Sequence, residues 1–225
     1  MVDPRLRYPG LVLGLLALQG CLPFALPPGK ASLGIGSRHH DRGFKGPGTG
    51  SGMDPVWQVR GAIHPLGLAP SLHGRSFDFG IGYSIENETD QELTIQGPFL
   101  DLEYFLWHSE GTIPLRLGTI LSPSWITGGP GVSSNGLDGG LDLRLELESS
   151  IFNGVEDFSN IDDKPDGKDG SAVLGWSYGE LSIGAWVGGG FRSVGENNVW
   201  SLALGISGRW PAIAGVICCL DFDDD

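Results

Sequence analysis

Residues 141–148 read LDLRLELE. Leu141, Leu143, Leu145 and Leu147 take alternate positions, with Asp142, Arg144, Glu146 and Glu148 between them. Because successive side chains of a strand point to opposite faces, this octet puts four leucines on one face and four charges on the other. A helix, turning every 3.6 residues, would mix the two sets. The octet is therefore a strand, apolar on one side and ionic on the other.

The same alternation recurs around it. Phe77, Phe79, Ile81, Tyr83 and Ile85 alternate with Asp78, Gly80, Gly82 and Ser84. Trp57, Val59 and Ile63 oppose Gln58, Arg60 and His64; Leu100, Leu102, Tyr104 and Leu106 oppose Asp101 and Glu103; Ile113, Leu115 and Leu117 oppose Arg116 and Gly118. Toward the C-terminus, Ala172, Leu174, Trp176 and Tyr178 form a sixth apolar face, Leu181, Ile183, Ala185 and Val187 a seventh, and Trp200, Leu202, Leu204 and Ile206 an eighth, the last opposed by Gly205, Ser207 and Arg209. The connections predict antiparallel neighbours. Gly179-Glu180 suits a two-residue hairpin turn, and ENETDQ at 86–91, HSEG at 108–111 and SVGENN at 193–198 read as polar loops. Residues 122–138 and the acidic stretch 151–170 are the long loops.

With 225 residues the chain suits one domain, and 40% hydrophobic residues are enough for it to pack. A net charge of -13, from 27 acidic and 14 basic residues, argues against nucleic acid as a partner. Eight alternating strands can close with either face inside. Three features place the polar face inside. The segments approach the ~9–11 residues of a tilted membrane-spanning strand. The cations of the polar face are Arg60, Arg116, Arg144 and Arg209, whereas Lys30, Lys45, Lys164 and Lys168 all fall outside the eight segments. Arginine facing Asp78, Asp101, Glu103, Asp142 and Glu146 suits an ion-pair network packed into a lumen. Finally, Gly80, Gly82, Gly118, Gly184, Gly188 and Gly205 crowd that same face, as a narrow interior requires.

On this alternation, glycine content and the aromatics Trp57, Tyr83, Tyr104, Trp176, Tyr178, Trp200 and Trp210, residues 55–210 resemble the small outer-membrane β-barrel proteins of Gram-negative bacteria. The resemblance implies an all-β fold, an eight-stranded antiparallel up-and-down β-barrel of outer-membrane type. The aromatics would form interfacial girdles and membrane lipid would surround the barrel. Residues 211–225 are an apolar and then acidic tail, with 211–220 a candidate ninth strand or a segment packed on the rim.

Residues 1–20 carry Arg5 and Arg7, then LVLGLLAL at 11–18, too short to span a bilayer and ordered as a secretory signal. The ending LQGC resembles the lipobox of bacterial lipoproteins, which implies that Cys21 becomes a lipidated N-terminus. Residues 21–54, rich in Gly and Pro and containing His39 and His40, read as a tether. Cys218 and Cys219 read as small buried apolar residues.

Little chemistry is legible. There is no HExxH, Walker loop or CxxC, and neither a cofactor nor a metal is expected. In the acidic loop, Lys164 and Val173 break an EF-hand ligand set, leaving only weak, irregular Ca²⁺ coordination by Asp162, Asp163, Asp166 and Asp169. His108, Ser109 and Glu110 are adjacent in sequence, whereas a triad must converge from separate positions. The expectation is a non-enzymatic envelope protein with a structural or surface-interaction role. Two alternatives stay open: a soluble lipoprotein whose pocket takes a hydrophobic ligand, and an outer-membrane lipid-modifying enzyme.

Overall fold

The computed structural model describes residues 21–40, 53–68, 76–88, 93–109, 114–128, 138–162, 169–194 and 197–221. They form ten strands: β1 (Cys21–Leu26), β2 (Gly29–His40), β3 (Met53–Ile63), β4 (Phe77–Glu88), β5 (Leu93–His108), β6 (Leu115–Trp125), β7 (Gly139–Asp162), β8 (Asp169–Val194), β9 (Asn197–Trp210) and β10 (Ala212–Asp221). The one helical element described is a 3-10 turn at Pro65–Leu68.

The protein is all-β, a single antiparallel sheet of ten strands. From β2 to β9 each strand pairs with the next in sequence, and β2 also pairs with β9, so eight strands close on themselves. The end of this ring that holds Gly29, Ile63 and Trp210 is called the lower end, and the end that holds His39, Met53 and Trp200 the upper. Below the ring, β7 and β8 run on together. There β10 pairs with residues 169–178 of β8, and β1 pairs with β10.

Burial alternates with period two around the ring. Leu141, Leu143, Leu145 and Leu147 are exposed, while Asp142, Arg144, Glu146 and Glu148 are buried. The inward face is thus the polar one.

Several expectations need correction. Residues 29–40 are not tether but a full strand of the ring, since Lys30, Ser32, Gly34 and Arg38 alternate inward with exposed Leu33 and Ile35. Residues 171–188 are not two strands around a hairpin. Gly179, with φ 118°, continues β8 opposite Gly154 of β7, and a β-bulge between Ser150 and Phe152 lies a little nearer the ring, past the Phe152/Leu181 pair. The strand count of eight for the ring therefore stands with a different membership. The predicted loop 151–170 is mostly strand, as β7 reaches Asp162 and β8 begins at Asp169. Residues 86–88 end β4 rather than opening a loop, with Glu86 and Glu88 both buried. The tail folds as β10 up to Asp221, outside the ring, and residues 222–225 lie outside the described residues.

Two glycines show how tightly the ring closes. A Cβ on Gly34 or on Gly205 would overlap the Trp186 indole, which lies across both backbones inside the ring. By contrast, a Cβ on outward Gly61 would meet nothing within 4 Å. Overpacking costs about 1–3 kcal/mol. Gly205→Val is therefore expected to lower the urea midpoint, followed by tryptophan fluorescence. Gly61→Ala should leave it within about 0.5 kcal/mol.

Candidate functional site

The inside of the ring holds two clusters of buried charges, set among serines, glycines and a few apolar residues. Towards the lower end, β2 contributes Lys30, whose Nζ lies 2.8 Å from Glu103 of β5, 2.7 Å from Glu146 of β7 and 2.7 Å from Glu148 of β7. An ammonium has three protons, and three carboxylates surround this one. Beside it, Arg209 of β9 donates to Asp78 of β4 at 2.6 Å and to Glu103. Asp78 also meets His64 Nδ1 at 2.9 Å. Arg116 of β6 closes the mouth by donating to Glu180 of β8 at 2.9 Å and to Glu148.

A second cluster lies towards the upper end. Arg192 of β8 grips Asp142 with two bonds of 2.8 Å and reaches Glu86 at 2.6 Å. Arg38 of β2 donates to Glu86 at 2.6 Å and to Glu88 at 3.3 Å. Arg60 of β3 donates to Asp142 at 3.1 Å, lies 3.6 Å from Asp101 of β5 and sits 3.9 Å over the Phe99 ring. Ser122 donates to Asp101. Beyond these charges, Ile95, Ile126 and Val194 form a buried apolar cluster.

Arg144 sits between the clusters. It donates to Gln58 at 2.8 Å and Ser32 at 3.2 Å, and its guanidinium stacks 4.1 Å from the Trp186 ring. The gap lined by Gln58, Glu86, Asp142, Arg144, Trp186 and Gly188 has room for roughly one water.

All nine residues expected to form the network face inward. Arg60, Asp78, Asp101, Glu103, Asp142, Arg144, Glu146 and Arg209 are buried, and Arg116 is half-buried at the lower mouth. Lys30 corrects the expectation that every lysine lies outside the strands: it is the hub of the lower cluster. Arg38, Glu86, Glu88, Glu148, Arg192 and Trp186 also belong inside. The signal for Lys30 and Arg38 was present as the alternation through KASLGIGSR, masked by glycine.

The geometry narrows what this interior can do. His64, Asp78 and Glu103, and likewise Glu103, Glu146 and Glu148, converge closely enough to ligate a metal. Yet Arg209 bridges the first group and Lys30 sits within the second, supplying the positive charge a cation would bring. Of the calcium candidates, Asp163 and Asp166 lie outside the described residues, and Asp162 and Asp169 belong to β7 and β8. His108 is exposed at the end of β5. Ser109 is committed to the turn, its hydroxyl accepting from Leu115 N–H at 3.0 Å, and Glu110 lies outside the described residues. Residues 175–179, GWSYG, have the G-x-S-x-G form, but they run straight through β8, without the strand-to-helix turn that presents a nucleophile. Cys21 opens β1 in register with Cys218 of β10.

No family model, curated protein or solved structure matches this chain.

Removing one partner of a buried charge cluster costs about 3–5 kcal/mol, because the others stay desolvated. Lys30→Met is expected to destabilise the protein by that amount, read as the loss of urea resistance. Glu180→Gln, at the partly exposed mouth, should cost no more than about 1 kcal/mol in the same measurement.

Proposed function

We propose that this chain is an exported, membrane-inserted eight-stranded β-barrel of outer-membrane type, non-enzymatic, with a structural or surface-interaction role. The observation that carries the reading is the distribution of charge. Every Lys and Arg among the described residues, seven in all, points into the ring. Outside lies a continuous belt of exposed Leu, Ile, Val and aromatic residues. A soluble protein scatters such residues singly, and a belt of them needs an apolar neighbour.

The belt has the dimensions of a bilayer. Trp57, Trp125 and Trp200 lie towards its upper edge, and Phe77, Tyr104, Trp107 and Trp210 towards its lower. On β9, the ten steps from Trp200 to Trp210 cover about 33 Å of strand, which a tilt of ~40° reduces to about 25 Å, the height of an apolar barrel band. Of the aromatics expected in the girdles, Tyr83 instead sits mid-strand, and Trp176 and Tyr178 lie on the extension below the ring. No described helix is long and apolar enough to cross a membrane, so crossing falls to the strands.

Among the described residues the gap around Arg144 admits roughly one water, which favours a packed interior over a pore or the pocket of a ligand-binding lipoprotein. The leader, Arg5 through LVLGLLAL, supplies the export step.

Full-length protein extracted from cell envelopes should need detergent and should run faster on a gel unheated than boiled. Recovery as a monomer in plain buffer would reject insertion. Leu145→Arg, on the mid-height outer face, should cost about 2–4 kcal/mol in lipid vesicles. Planar bilayers should show no stable conductance steps.

A further inference from the structure

Cys21 and Cys218 are directly opposed residues of the β1–β10 pair. We infer that a disulfide joins them, making Cys21 a cross-link to the C-terminal strand instead of a lipid-bearing N-terminus. Directly opposed residues of an antiparallel pair share a face, with Cα atoms about 4.5 or 5.5 Å apart according to the hydrogen-bonding pattern. Both spacings fall within the ~4.4–6.8 Å that a disulfide spans.

The register also selects the partner. Cys219 follows Cys218 in β10, one register position away from Cys21, and its backbone partner across β8 is Ser171. A bridge between the vicinal cysteines themselves is strained. With three cysteines in the chain, Cys21–Cys218 leaves Cys219 as the free thiol.

The position of Cys21 disfavours a lipid anchor. It lies in register, through Cys218, with Ala172 of β8. Ala172 is ten residues upstream of Ser182, where β8 joins β9 in the ring, or about 33 Å along the strand. A lipid at Cys21 would have to span that distance to reach the belt, whereas the register already sets Cys21 opposite Cys218. The bridge also suits the strand: β1 has six residues and pairs with β10 alone. Closing a loop of most of the chain restricts the unfolded state more than a short one does.

In the reaction, two thiols lose two protons and two electrons as the S–S bond forms. By thiol–disulfide exchange the S–S bond of a disulfide-form oxidant in the exported compartment breaks and takes up those two electrons and two protons, leaving that oxidant as a dithiol. The inference rests on the export reading for that compartment.

The test is peptide mass mapping of the full-length protein, extracted from envelopes without reductant and alkylated before and after reduction. Cys219 alone should be labelled before reduction, and a linked peptide containing Cys21 and Cys218 should be found. Cys218→Ser should expose Cys21 to alkylation, and Cys219→Ser should leave the bridge intact. Processed envelope protein with three free thiols, a Cys21–Cys219 or Cys218–Cys219 link, or a thioether lipid on Cys21 would overturn the bridge alone. Protein retained in the cytoplasm with its leader uncut would overturn the export reading, and the bridge with it.

Discussion

Charges removed from water must be paired, and in this protein that requirement and closure of the sheet are one event. Lys30 comes from β2, its carboxylate partners from β5 and β7, and Arg209 beside them from β9. None of these contacts is local, since the partners of Lys30 are 73 to 118 residues away in sequence. Until β2 pairs with both β3 and β9, its two cations have no enclosure and the carboxylates opposite have no counter-charge. Each member therefore makes the others tolerable, which is why a buried ion cluster costs more to break than its pairs are worth in isolation.

Small residues make that network fit. Gly34 and Gly205 leave space for Trp186, and Trp186 in turn carries the Arg144 guanidinium. A Cβ on Gly188 would press on Arg144, and one on Gly80 on His64. On the proposed reading, with the gap around Arg144 no larger than roughly one water, whatever the protein contacts meets it at the outer belt, the ring ends or the extension below. That extension starts at the bulge between Ser150 and Phe152, the one irregularity in the β7–β8 register, and Gly179 with its positive φ lies just beyond it. Local twist increases at such points, yet the pairing of β7 with β8 continues to Asp162.

Much of the fold was legible from alternation alone. The four leucines of 141–148, the choice of polar face, and the arginines at 60, 116, 144 and 209 all follow from a period of two and from the chemistry of arginine, which are properties of adjacent residues. What was misread shares a cause. Glycine has no side chain to show a face, so KASLGIGSR resembled a linker and Gly179-Glu180 resembled a turn. Likewise, Glu86 and Glu88 resembled a loop because polar residues carry the same composition whether they face water or an enclosed counter-ion.

The sequence by itself determined which residues share a face and that the strands are antiparallel neighbours, because both depend on chain-local geometry. Only the tertiary structure decided that β2 completes the ring, that Lys30 lies among Glu103, Glu146 and Glu148, and that Cys21 stands opposite Cys218. Those facts depend on which distant strands meet and in what register, and a register is set by the whole closed sheet rather than by any one of its segments.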